Sequence, residues 1–195
     1  PLFQRLQFKN LLGRFEVESP KNEVEDHFHV IRTKAEAEKA FERARRAERL
    51  GAAILKNTEG VLPLFAAQAK AGGVALCFGE EEICCICAGE ELSAEEILDR
   101  LGEAAGEAGC FAVFGLKEAM DCFTPGRQDN CFDGIIAAYL LNPLKSDYSF
   151  EDVAREQLSL LLDEKKEDEV RACYEAYCAW KSQPILADKL KEEGM

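Results

Sequence analysis

The sequence predicts a single α/β domain in which a central sheet is flanked by helices, and three observations carry that expectation. Short apolar runs bounded by Gly and polar residues read as buried strands through the first part of the chain. Helical periodicity dominates the last third, with one helix interposed among the strands, an order that suits helices packed on a sheet. The chain has 195 residues and is 47% hydrophobic, which is enough to bury one substantial core.

Taken in order, residues 1 to 24 begin with Leu2, Phe3, Leu6, Phe8, Leu11 and Leu12 at the spacing of a short amphipathic helix. The polar stretch Glu16 to Glu25, with Pro20, reads as a linker. His29, Val30 and Ile31 form a brief strand. Thr33 caps a helix, Glu36 completes a capping box, and charged sequence carries the helix to Leu50, where Gly51 ends it. Ala52 to Leu55 is a core strand, followed by the turn-prone Asn57 to Gly60. Gly73 to Phe78 and Glu82 to Ala88 flank Gly79-Glu80-Glu81, a hairpin turn. Ser93 and Glu96 open a second boxed helix that runs to about Ala108. Cys110 to Phe114 is the next buried strand, Gly115 to Cys122 a short helix, and Thr124-Pro125-Gly126 a loop. From Phe132 the chain is helical to Asn142-Pro143, again over Ser149 to Leu162, and again over Lys165 to Glu193, with Pro184 expected to kink or break it.

Composition narrows the function classes. A formal charge of −13 spread along the chain repels a phosphate backbone, so strong DNA binding by this chain alone is not expected. No run reaches the roughly 18 apolar residues of a membrane span, and no signal peptide opens the chain, which points to the cytoplasm. Nine cysteines, an odd number and several inside apolar runs, read as reduced thiols. The start at Pro1, without an initiator Met, and the stop at Met195 after a charged run suggest an excised segment.

Three stretches carry a family resemblance. Pro1-Leu2-Phe3-Gln4-Arg5-Leu6-Gln7-Phe8, running to Leu11-Leu12, resembles the segment that joins a 5′-nuclease to a proofreading domain. Phe132-Asp133-Gly134-Ile135-Ile136-Ala137-Ala138-Tyr139-Leu140-Leu141-Asn142-Pro143 is the most specific. Tyr148-Ser149-Phe150-Glu151-Asp152-Val153-Ala154-Arg155-Glu156 adjoins it. Together they resemble the 3′-5′ exonuclease domain of family A DNA polymerases of the bacterial polymerase I type. The resemblance implies a ribonuclease H-like fold with a central mixed five-stranded sheet. It also implies residues 1–24 as a helix and linker, residues 25–195 as the domain, and 5′-nuclease and polymerase domains as neighbours in the same chain.

Proofreading members of that family hold two divalent ions on four carboxylates, and the ions activate a water and stabilise the leaving oxygen. The resemblance places Leu55 and Asn57 at the first two carboxylate positions, Ala119 at the third and Ala176 at the fourth, with Ala172 at the accompanying Tyr. All four ligand positions are neutral, so no metal, no cofactor and no exonuclease catalysis is expected here, and Mg²⁺ belongs to the polymerase domain of the parent. The expected role is a structural domain that supports the polymerase module in DNA replication and repair. Residual nuclease chemistry through Glu59, Glu118 and Glu175, or a protein-docking role, are the alternatives.

Other candidate sites have plainer readings. Cys84 and Cys87 have C-x-x-C spacing, but on a strand they point to opposite faces and no second Cys or His pair accompanies them. His27 and His29 lie beside a polar linker without a nucleophile motif and read as surface or strand-edge residues. Gly106, Gly109 and Gly115 do not have the spacing of a phosphate-binding loop. Asp133 reads as a helix N-cap. Tyr174, Tyr177 and Trp180 read as the packing face of a helix rather than a base-stacking surface.

Overall fold

The computed structural model of the protein describes residues 23–57, 70–145, 148–162 and 166–195. The expected helix in residues 1–22, and Thr58, Glu59 and Gly60, lie outside the described residues. After a short 3-10 turn at Glu23–His27 come β1 (Phe28–Ile31), α1 (Lys34–Arg45), β2 (Arg49–Lys56), β3 (Ala71–Gly79), β4 (Glu82–Cys87), α2 (Ala94–Glu107), β5 (Cys110–Val113), α3 (Leu116–Met120) and β6 (Cys131–Asp133). Three helices follow: α4 (Gly134–Leu141), α5 (Phe150–Leu158) and α6 (Asp168–Glu192).

The strands form one mixed sheet in the order β1-β4-β3-β2-β5-β6. The central β2, β3 and β4 are antiparallel neighbours, whereas β1 joins β4, β5 joins β2 and β6 joins β5 in parallel. Alternation along the strands divides the interior in two. Leu50, Ala52, Val74, Leu76, Cys84, Ile86, Phe111 and Val113 face α1 and α2. Ala53, Leu55, Ala75, Cys77, Ile83, Cys85 and Cys87 face Ala172, Cys173 and Ala176 of α6. Cys84 and Cys87 therefore lie on opposite faces, as strand geometry requires, and all nine cysteines are free. Burial pushes the Cys84 thiol up to about 12, which leaves it a small hydrophobe rather than a nucleophile.

Local sequence explains most of the elements. The Thr33 hydroxyl accepts from the Glu36 N–H at the start of α1, and Ser93 with Glu96 forms a full capping box on α2. Three boundaries differ from expectation. The helix expected to reach Leu50 stops at Arg45, and Arg49, Leu50 and Gly51 belong to β2, pairing with Cys110, Phe111 and Ala112. Burial of Leu50 in that ladder outweighs the helical charge pattern around it. The sheet has six strands rather than five, because Cys131–Asp133 extends alongside β5 before the helix begins. Helix α6 runs through Pro184: the missing donor forfeits one hydrogen bond, but Ser182 and Leu186 on either side are buried and hold the helix in place.

Gly51 is where α6 comes closest to the sheet. A Cβ there would overlap the Ala176 carbonyl oxygen and lie 2.7 Å from Trp180 Cβ. Both groups belong to a rigid helix, so neither can move aside cheaply. Gly51→Ala is therefore expected to destabilise the protein by about 3 kcal/mol, read as a lower urea midpoint. An unchanged midpoint would mean that α6 does not seat on β2 in this way.

Candidate functional site

The main cavity forms where the sheet opens. The parallel ladder between β2 and β5 stops at Gly51 and Ala112. Beyond that point β2 continues beside β3 and β5 beside β6, so the carboxyl ends of two adjacent parallel strands diverge. Crevices of this kind are the usual ligand sites of α/β sheets. The cavity holds about 450 Å³, and Ala53, Leu55 and Lys56 of β2, Phe111 and Val113 of β5, and Phe114, Gly115, Glu118 and Ala119 on the α3 side contribute to its lining. Helix α6 closes the other side with Asp168, Arg171, Ala172 and Glu175, the i, i+3, i+4, i+7 stripe of one helical face.

Of the four positions singled out in the sequence, the fold brings Leu55 and Ala119 into this crevice, where both are buried. Asn57 follows β2, its backbone N–H donating to the Lys70 carbonyl at 2.8 Å, and it does not line the cavity. Ala176 does not line it either. Its side chain packs with Ala53 and Leu55, and its carbonyl faces Gly51. Ala172 does reach the crevice, and so does Glu175, one residue before Ala176. One residue turns a helical side chain by about 100°, so a register read along the sequence does not settle which neighbour points inward. The helical stripe 168, 171, 172, 175 is the signal that would have found Asp168, Arg171 and Glu175.

Glu175 is half-buried among apolar groups, and that burial pushes its carboxyl up to about 7. Arg171 and Lys56 work against the shift, while Glu151 adds to it. Arg171 is itself committed: it pairs with Glu151 and lies over the Phe150 ring at 5.1 Å. Glu118 is exposed at the rim.

The wall of the crevice is set by one carboxylate. Asp133 accepts from the N–H groups of Ile135 (2.8 Å) and Ile136 (3.3 Å) as the N-cap of α4. It also accepts from Gly115 (3.2 Å) and Leu116 (2.7 Å), where the chain turns into α3. One side chain thus satisfies unpaired donors at two helix starts. Gly115 adopts φ +76°, a conformation favoured by glycine, and this turn brings Glu118 and Ala119 to the crevice.

Two divalent ions would need several anionic oxygens converging on one point. The crevice offers hydrocarbon at Leu55, Ala119 and Ala172, three carboxyls at Glu118, Asp168 and Glu175, of which Glu175 resists ionisation, and two cations, Lys56 and Arg171. Among the described residues no group of three or more His, Cys, Asp or Glu is placed to hold a metal ion. Among the described residues these carboxyls are not gathered in the way a two-metal centre needs.

Elsewhere, His29 is exposed on the edge strand β1, and His27 ends the 3-10 turn. Tyr177 stacks on Trp180, and Arg49 covers the Trp180 ring at 4.6 Å, so these rings are engaged in packing. Tyr174 belongs to a separate cluster, with its ring edge against Phe28.

The six-stranded mixed sheet flanked by helices is consistent with the ribonuclease H-like fold of exonuclease domains. Solved structures with this fold include the EXO domain of Nibbler from Aedes aegypti, with a TM-score of 0.62 at 12% identity over 86% of this chain and 90% of that one. RNase D of Escherichia coli, an exoribonuclease involved in structured RNA processing, has a TM-score of 0.56 at 16% identity, covering 85% and 44%. The POL domain of Pol1 from M. smegmatis, in complex with DNA primer-template and dNTP, has a TM-score of 0.61 at 19% identity, covering 84% and 28%. The chain thus spans little more than a quarter of that polymerase structure. No protein-family model matches the sequence, and no curated protein does. At these identities the likeness is one of fold.

Two measurements test the site. In the folded protein Glu175 keeps its proton to about pH 7, while the unfolded chain releases it near 4.5, so the unfolded state binds fewer protons in that window. Stability should fall as pH rises from 4.5 to 7, by up to about 3 kcal/mol relative to Glu175→Gln, and the two proteins should run parallel above pH 8. Urea titrations at stepped pH read this, and parallel curves throughout would place the carboxyl in water. Asp133→Ala should lower stability by about 2 kcal/mol in the same assay, since it orphans donors at two helix starts.

Proposed function

We propose that this chain is the exonuclease-like domain of a family A DNA polymerase of the polymerase I type, retained as a non-catalytic support for the polymerase module in replication and repair. The observation that carries the reading is the lining of the crevice. Leu55 and Ala119, positions where the family resemblance implies carboxylates, lie together at the opening between β2 and β5 as hydrocarbon. Lys56 and Arg171 share the crevice with Glu118, Asp168 and Glu175, so the carboxyls there face cations of the chain itself. The six-stranded fold supports the same reading, because it persists on burial of apolar faces that need no metal.

On this reading the domain lies between 5′-nuclease and polymerase domains of one cytoplasmic polypeptide, and contact with DNA and with Mg²⁺ is made by the polymerase module. The formal charge of −13 agrees with weak DNA binding by this domain itself. No helix among the described residues is long and apolar enough to cross a membrane.

A second reading, a residual metal-dependent 3′-5′ nuclease, draws on Glu118 and Glu175, both of which line the same crevice. One assay separates the two. Incubated with 3′-labelled single-stranded DNA and Mg²⁺ or Mn²⁺, the chain is expected to release no nucleotide above a metal-free control, and Mn²⁺ titration by calorimetry to give no saturable heat. Digestion that a chelator abolishes, and that Glu175→Gln removes, would establish the nuclease reading instead.

A further inference from the structure

Much of the crevice wall is hydrocarbon and aromatic ring. Leu101 and Phe111 are fully buried and Phe123 nearly so, and all three contribute to the lining together with Leu55, Val113 and Phe114. Phe111 and Phe123 meet edge to face at 5.8 Å, which fixes the two rings against each other. Protein interiors leave few gaps larger than a water molecule, whereas about 450 Å³ lies within the range of small-molecule sites.

The charges of the lining cancel. Lys56 from β2 and Arg171 from α6 share the crevice with Glu118 from α3 and Asp168 from α6. Arg171 is paired with Glu151 of α5, and Lys56 and Asp168 are engaged with partners of their own. Among the described residues no cation of the lining is left over for a phosphate or a carboxylate, so an anionic ligand would give up its hydration without compensation.

Glu175 is different. It lines the crevice and is half-buried, yet among the described residues its carboxyl has no hydrogen-bond or ion-pair partner. A polar group withdrawn from water gains from a partner that reaches it. Burial keeps this carboxyl protonated to about pH 7, and in that form it donates one hydrogen bond. The wall therefore presents flat apolar surface, balanced charge and a single donor.

We propose that the crevice binds a small uncharged aromatic molecule with one hydrogen-bond acceptor, its rings among Phe111, Phe114 and Phe123 and its acceptor at the Glu175 carboxyl. The volume admits two fused rings. This rests on the reading above that the crevice is non-catalytic. It goes beyond that reading by naming the class of ligand the crevice takes.

Coumarin, a neutral bicyclic lactone, and 2-naphthoate, a bicyclic anion, are the probes. They are titrated at pH 6 into the 195-residue chain carrying ¹³C-labelled Leu and Val methyl groups. Coumarin should shift the methyl resonances of Leu55, Leu101 and Val113, which line the crevice, and leave that of Val30, on the edge strand β1, unmoved. The shifts should saturate with a dissociation constant of about 0.1 mM, and 2-naphthoate should bind at least tenfold more weakly. Glu175→Gln, whose amide still donates, should hold coumarin within twofold of the parent, and Glu175→Ala at least fivefold more weakly. Shifts that do not saturate, the outcome if residues 58–69 of the chain fill the crevice, overturn the proposal. So does 2-naphthoate bound as tightly as coumarin, or full affinity in Glu175→Ala. A chain that neither binds coumarin nor digests DNA removes this inference alone. One that binds coumarin and also shows chelator-sensitive digestion removes the non-catalytic reading and leaves this one standing.

Discussion

The backbone of β2 and helix α6 meet at Gly51 with no side chain between them, and most of the architecture is arranged around that contact. Because the helix lies so close, Ala172, Cys173 and Ala176 pack directly on Ala53, Leu55, Ala75, Cys85 and Cys87. Small residues on both partners make the approach possible, and dispersion contacts across the narrow gap reward it. Any bulk added at the contact would push the helix off the sheet and loosen the far wall of the crevice with it.

From the same contact follows the position of the crevice. Immediately after Gly51 the β2–β5 ladder ends, so the sheet opens beside the strand residues that α6 covers. An α/β sheet of this topology offers its ligand site there whatever side chains occupy it. In this chain those side chains are mainly apolar, with two cations and the carboxyls of Glu118, Asp168 and Glu175 among them. The framework around the crevice draws on apolar burial and on the Asp133 caps. The buried thiols of β4 and α6 are enclosed on every side and behave as filler.

Local sequence by itself determined the capped helix starts at Thr33 and Ser93, a helix beginning near Ser149, the hairpin between β3 and β4, the alternating faces of Cys84 and Cys87, and the mixed α/β class. These depend on periodicity and on hydrogen bonds made within a few residues, so they are legible without the fold. Tertiary structure alone decided that Arg49 and Leu50 are strand rather than helix, that Cys131–Asp133 adds a sixth strand, and that α6 passes through Pro184. It also decided that Glu175 rather than Ala176 faces the crevice, and that Asp133 ties two helix starts together. Each of these turns on a partner outside the element itself, and contacts made with that partner outweigh the local preference.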